Sequence, residues 1–242
     1  MSEKSEAKPV SFLEDCAVEL KDLAEYTDKL TAIFDRNGVK GTWYAHASVG
    51  CLHVRPVLNM KQAGGAETMR AIAEEAFELV RSVGGSHSGE HGDGIVRSEF
   101  NDRMFGPVLP DLFRQVKAMF DPQGMFNPGK ITDAPKMDDR ELFRFAPGYE
   151  VEDFDSVLDW AAWPGAAGGF QGAVEMCNNN GACRKLSGGV MCPSYRATRN
   201  ERDAVRGRAN SLRLAMSGQL GPDAMASDAM AETMKLCVSC KA

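Results

Sequence analysis

Apolar residues recur along the first half of the chain at spacings that alternate between strand and helix periods. Residues 9–20, Pro-Val-Ser-Phe-Leu-Glu-Asp-Cys-Ala-Val-Glu-Leu, mix β-branched and aromatic positions and read as a strand entering a loop. From Asp22 to Arg36, Leu23, Tyr26, Leu30, Ile33 and Phe34 fall three and four apart, which predicts a helix with one apolar face. Asn37-Gly38 ends it, because both residues tolerate the left-handed backbone that stops a helix. Residues 41–57 hold two strand-like halves around Val49-Gly50 and predict a hairpin. A second helix is expected from about Ala66 to Val83, with Met69, Ile72, Ala73, Ala76, Phe77 and Val80 on one face and Gly84-Gly85 closing it. Beyond a glycine-rich loop at Glu90-His91-Gly92, a third helical region spans roughly Arg103 to Phe120 and carries Leu109, Leu112, Phe113, Val116 and Phe120. Pro107 and Pro110 mark a break or restart early in it.

This alternation predicts an α+β fold, an antiparallel sheet with helices on one face, over residues 1–131. Residues 132–170 differ: Pro135, Pro147, Pro164 and Gly-Ala-Ala-Gly-Gly leave little periodicity, so a linker with one short helix at Phe154–Trp160 is expected. Residues 171–242 read as a mainly helical, cysteine-bearing segment, with a helix over Glu201–Leu220 between two cysteine groups.

Charge and composition narrow the function. With 28 Lys+Arg against 34 Asp+Glu, the net charge is −6, which argues against a nucleic-acid binder with its basic footprint. No apolar run approaches the roughly 18 residues a transmembrane helix needs, and the N-terminus is too polar for a signal peptide. The seven cysteines are odd in number and crowd the last third, unlike a secreted disulfide framework, so a reducing cytoplasmic setting is expected. Cys16 and Cys51, apart from the others, read as small buried residues.

All four histidines lie between His46 and His91. A hairpin turning at Val49-Gly50 places His46 directly opposite His53, with Cβ atoms about 5 Å apart, so that two imidazoles can converge on one ion. Arg55 then lies on the same face as His53, where it could hold an anionic group. Glu90 and His91, on a loop freed by glycines, supply a carboxylate and a further imidazole. Two histidines and one glutamate with an open position form a catalytic rather than a structural metal pattern, suited to zinc, manganese or ferrous iron. His91 is then free to act as a base. The spacing equally admits cross-strand histidines without a metal and Arg55 as a surface charge; His87 reads as a solvated loop residue.

His46-x6-His53, Glu90-His91-Gly92 and Phe120-Asp-Pro-Gln-Gly-Met-Phe-Asn-Pro-Gly-Lys130 together resemble the C-terminal half of FAD-linked 2-hydroxyacid oxidoreductases, the D-lactate, glycolate and D-2-hydroxyglutarate dehydrogenases. The likeness covers about residues 9–131 and implies the family's cap domain, with a ferredoxin-like fold. It further implies that His46, His53 and Glu90 bind a divalent metal that grips the substrate's hydroxyl and carboxylate, while His91 takes the hydroxyl proton and the hydride leaves for the flavin. Asn127, in the Asn-Pro-Gly-Lys turn, would return the chain to an FAD domain and its cofactor. Two features depart from the family: Ala47-Ser48-Val49-Gly50-Cys51-Leu52 stands between the histidines where many members read His-x-Gly-Asp-Gly-Asn-Leu-His, and Arg55 stands where members often have a substrate-touching asparagine. An arginine there would favour a second carboxylate.

The cysteine-rich third follows the spacing Cys177-x5-Cys183-x8-Cys192-Pro193, then Cys237-x2-Cys240. It resembles the two-cluster iron–sulfur module fused behind such flavoenzymes, with Asn180 in place of the second cysteine and an insertion before Cys192-Pro193; a zinc knuckle is the competing reading of the CxxC. Since fourth cysteines cross to the other cluster, neither 4Fe-4S cluster is completed by cysteines of this chain, and weak or absent iron–sulfur content is expected. Both ends read as cut, so the chain is expected to be an internal fragment, inactive alone, whose parent passes electrons to an acceptor, peripheral at the inner membrane or soluble. Two rivals remain: a free-standing metallohydrolase using the open His–His–Glu ion, and a non-catalytic electron-transfer subunit.

Overall fold

The computed structural model describes residues 5–151, 156–163, 169–189 and 191–240. The chain forms two compact units, one of which runs from Ala7 to Pro147. In it, strands β1 (Lys8–Pro9), β2 (Cys16–Ala17), β3 (Gly41–His46) and β4 (Cys51–Leu58) make a small antiparallel sheet. β4 is central. β3 pairs along one edge, and β1 and β2 follow one another along the other.

The stretch expected to be a strand entering a loop over 9–20 forms two short strands with a bulge between them. Lys8 faces Leu58 and Cys16 faces Leu52, so the edge chain advances eight positions while β4 advances six. The two surplus residues bulge, which turns Phe12 and Leu13 into the core and leaves Asp15 with a backbone φ of 122°. A bridge between Ala17 and Ser86 extends the sheet past β2 and brings the start of the Glu90 loop alongside it.

Helix α1 (Leu23–Arg36) buries Tyr26, Leu30, Ile33 and Phe34, the face its spacing implied, and stops where Gly38 adopts φ 67°. Helix α2 (Ala63–Ser82) starts earlier than Ala66 and buries Met69, Ile72, Ala73, Ala76, Phe77 and Val80. Both helices share one core with Leu52, Val54 and Leu58 of β4. Side chains alternate along a strand, so Cys51, His53 and Arg55 point to the opposite face of β4.

The hairpin turn begins two residues earlier than its composition suggests and ends at the same glycine. A 3-10 turn over Ala47–Val49 and the left-handed Gly50 connect the strands, and Tyr44 pairs with His53 while His46 pairs with Cys51. His46 is therefore not opposite His53, because four residues rather than two make the turn. The slip is by two positions, which preserves the face, and the histidines become diagonal neighbours with ring centroids 5.1 Å apart.

The third helical region is broken at Gly106-Pro107 into α3 (Asn101–Phe105) and α4 (Val108–Phe120). Pro110 falls in the first turn of α4, where its missing N–H is not needed. The apolar face of α4 does not enter the core: Leu109, Leu112, Val116 and Phe120 are exposed, the last by 78%. Past Lys130, Met137 is buried against the same core, Arg70 pairs with Glu99 and Asp138, and Arg140 donates to the carbonyl of Gln62. The stretch expected to be linker thus begins as part of this unit.

The second unit takes in residues from Gly148 onward. It contains α5 (Gly169–Glu175), α6 (Pro193–Thr198), α7 (Val205–Met216) and α8 (Asp228–Met234). The helix expected over Glu201–Leu220 is shorter, since a 3-10 turn occupies Glu201–Asp203 and Gly218 reverses the chain at φ 72°. The helix expected at Phe154–Trp160 lies partly outside the described residues, and 156–160 are not helical.

Candidate functional site

The outer face of β4 carries His53, whose side chain is only 3% exposed. Its ring stacks against Tyr44 at 5.4 Å and against His91 at 4.6 Å, and it meets His46 edge-on. One carboxylate oxygen, Glu90 Oε1, faces the Nε2 atoms of His53 at 2.9 Å, His46 at 3.3 Å and His91 at 3.3 Å. Glu90, His46 and His91 are each about 45% exposed, so the cluster has a sealed floor and an open mouth. Neither ring nitrogen of His53 makes an aligned hydrogen bond among the described residues. A buried, unsatisfied imidazole beside a carboxylate and two further imidazoles is a donor set that fits a divalent cation.

The residues expected to act together from two stretches, His46, His53, Glu90 and His91, are therefore placed around one point. Arg55 follows His53 by two positions on β4 and shares its face. Its Nε donates to Glu14 Oε2 at 2.5 Å, so its charge is engaged within the protein. Burial raises the Glu14 carboxyl, but hydrogen bonds from Arg55 and Ser11 outweigh it and leave it below its ordinary range. The other Glu14 oxygen stands 3.7 Å from His91 Nδ1. Asn127 lies on the surface with φ 46°, accepting from Lys130 Nζ at 3.1 Å, in a turn held by the Asp121 carboxylate through the N–H groups of Met125 and Phe126.

Asp15 escaped the sequence reading. It is fully buried, and donor atoms of Asp15, His53, Glu90 and His91 all lie within 4.8 Å of one another. Burial raises its carboxyl, but the N–H groups of Glu90 and His91, at 2.9 and 2.8 Å, more than offset this and hold it low. A signal was present: an acidic residue inside an apolar strand pattern is rarely buried without a partner. His87, expected in solvent, is a correction. It is 4% exposed, packed near Phe77 and Phe105, and 3.6 Å from Asp93. Cys16 and Cys51 are buried, the Cys51 thiol pushed up to about 11 by burial and the nearby Asp15 and Glu90 carboxylates.

In the second unit, Cys183 and Cys192 share a small apolar cluster with Ala204. Cys192 has φ 50°, and its sulfur accepts from the Val205 N–H at 3.0 Å. Burial pushes this thiol up, and Cys183 and Cys240 add to the effect. Cys177 is half-buried, and Cys237 and Cys240 are exposed; no disulfide joins the seven cysteines. Among the described residues, these five are not drawn into a group as tight as the histidine site.

The chain is 35% identical over 227 residues to a D-2-hydroxyglutarate dehydrogenase of Pseudomonas putida, covering 92% of this chain and 22% of that protein. It is 35% identical over 216 residues to the Escherichia coli D-2-hydroxyglutarate dehydrogenase, covering 87% and 20%. A D-lactate dehydrogenase of Archaeoglobus fulgidus is 32% identical over 124 residues, 51% of this chain and 27% of that protein. The chain thus spans about a fifth of the length of the first of these relatives. The family described as FAD linked oxidases, C-terminal domain, matches residues 1–131, and the chain belongs to that family.

Proposed function

We propose that residues 1–131 are the substrate-binding cap of a flavin-dependent dehydrogenase that oxidises a D-2-hydroxy acid to the 2-oxo acid. The observation that carries this reading is the approach of three imidazole Nε2 atoms to one Glu90 oxygen at 2.9–3.3 Å. His46, His53 and Glu90 would hold a divalent cation there. When bound, the cation would supply Lewis acidity to the substrate's hydroxyl and carboxylate oxygens, and FAD would supply the hydride acceptor.

His91 takes the hydroxyl proton at Nε2. Its Nδ1 faces the carboxylates of Glu14 and Asp15 at 3.7 and 4.0 Å, which favours a proton on Nδ1 and leaves Nε2 to accept one. With that proton held at His91, a bound flavin would supply the acceptor for the C2 hydride, and the substrate would leave as the 2-oxo acid. Arg55 stands two positions beyond His53 on the open face, where a substrate carboxylate would meet a guanidinium already steadied by Glu14. The exposed apolar face of α4, continued by Met125 and Phe126, supports burial against a flavin-bearing domain, with Asn127 at its margin.

The cysteine-rich unit would then carry electrons onward to an acceptor. The packing of Cys183 and Cys192 in one small cluster, together with the Cys-Pro and CxxC spacing, supports a ferredoxin-type reading, which Asn180 leaves short of a full ligand set. No helix among the described residues is long and apolar enough to cross a membrane. Membership in the FAD-linked family weighs against a free-standing hydrolase.

The test is anaerobic mixing of the longer flavoprotein with a panel of D-2-hydroxy acids while flavin bleaching is followed. At least one acid should bleach the flavin, and His91→Asn should slow bleaching by about 10²–10⁴-fold. Failure of every acid, or a His91→Asn rate equal to wild type, would overturn the reading.

A further inference from the structure

We infer that Asp15 and Arg97 are a buried positioning pair that holds the Glu90–His91 peptide over the histidines; the inference takes from the cation-binding reading only the identity of what this loop carries. Every residue from Ser88 to His91 is bonded to Asp15. Gly89 N–H donates to its main-chain oxygen at 2.7 Å, Ser88 Oγ to Oδ2 at 3.1 Å, Glu90 N–H to Oδ1 at 2.9 Å and His91 N–H to Oδ2 at 2.8 Å. With both carboxylate oxygens engaged by these donors, Asp15 acts through the loop rather than as a ligand of its own.

Arg97 grips the far side of the same loop. Its Nη1 donates to the Glu14 carbonyl at 2.5 Å and its Nη2 to the Gly92 carbonyl, while Nη2 lies 3.5 Å from Asp15 Oδ2. Its own N–H reaches the Asp93 carbonyl at 3.1 Å. The guanidinium thus ties the residue after His91 to the residue before Asp15 and neutralises the Asp15 charge, which allows both to be buried. The fork geometry of arginine is what makes the two carbonyl contacts simultaneous. Gly89 permits the close seat: a Cβ there would meet the Asp15 carbonyl at 3.0 Å and Cys51 Sγ at 3.1 Å.

The test uses the 242-residue chain and its Asp15→Asn and Arg97→Lys variants, read by amide hydrogen exchange and by cobalt(II) titration. Wild type should protect the Glu90 and His91 amides. Each variant that folds should exchange these amides about 10-fold faster or more while β4 and α2 keep their protection, and bind cobalt(II) about 10–100-fold more weakly. Arg97→Lys keeps the charge but not the fork, so it tests the pair even if Asp15→Asn does not fold. Unchanged exchange at Glu90 and His91 would overturn the inference, as would an equal loss of protection across β4 and α2. Wild type that binds no cobalt(II), alongside the expected exchange pattern, would reject the cation reading and leave the positioning pair standing.

Discussion

Asp15 shows how much of the site depends on a single backbone. Its φ of 122° is a conformation that side chains rarely adopt, costing about 1–3 kcal/mol, and the surrounding hydrogen bonds hold it there. His87 is the other residue whose role comes from burial. Burial holds its pKa below 6.5, with Asp93 opposing and Arg97 adding to the effect. The unfolded chain therefore takes up a proton before the folded one does. The His87 contribution to stability is complete above pH 6.5 and is lost as the pH falls below that value through the folded-state pKa. Urea melts at a series of pH values should show stability declining on this side, and His87→Asn should flatten that slope; an unaltered slope would contradict it. The convergence of His46, His53, Glu90 and His91 was legible from hairpin spacing and the family likeness together, since spacing alone equally admitted histidines that hold no metal. Asp15, Arg97 and His87 were not, because their importance lies in what covers them.

At the level of elements, periodicity located α1, α2 and the hairpin, and the buried faces of both helices follow their spacing. Ile72 on α2 is fully buried in the core behind β4. Ile72→Ala should destabilise the unit by about 2–5 kcal/mol, measured by equilibrium denaturation; a change under about 1 kcal/mol would mean that the helix face is misassigned. What the pattern could not carry was register. Composition suggests a two-residue turn at Val49-Gly50, whereas Val18 N–H bonds to the Gly50 carbonyl at 3.0 Å and the turn spans four residues. The two-position slip left the histidines on one face, so the site survived an error in its geometry. The split of the first strand was equally hidden, since the bulge depends on pairing with β4.

For the whole molecule, the apolar face of α4 marks the limit of sequence reading. Its helical period was visible, but period does not say whether the chain's own core or another surface covers the face. Val116→Asp and Phe120→Asp should leave the stability of this chain within about 0.5 kcal/mol, because both residues are exposed. If α4 packs on a flavin-bearing domain as proposed, the same changes should weaken retention of that domain, read by limited proteolysis and bound flavin; unaltered retention would remove α4 from that interface. The cysteine unit was legible as a spacing, while the burial of Cys183 and Cys192 and the exposure of Cys237 and Cys240 were not.

The most direct measurement joins this chain to a flavin-bearing domain and follows flavin bleaching by the proposed D-2-hydroxy acids before and after removal of divalent cations with a chelator. Bleaching should fall to background after chelation, return when a divalent cation is restored, and fail to return in Glu90→Gln. Bleaching that persists undiminished after verified removal of the metal would contradict a cation held by His46, His53 and Glu90.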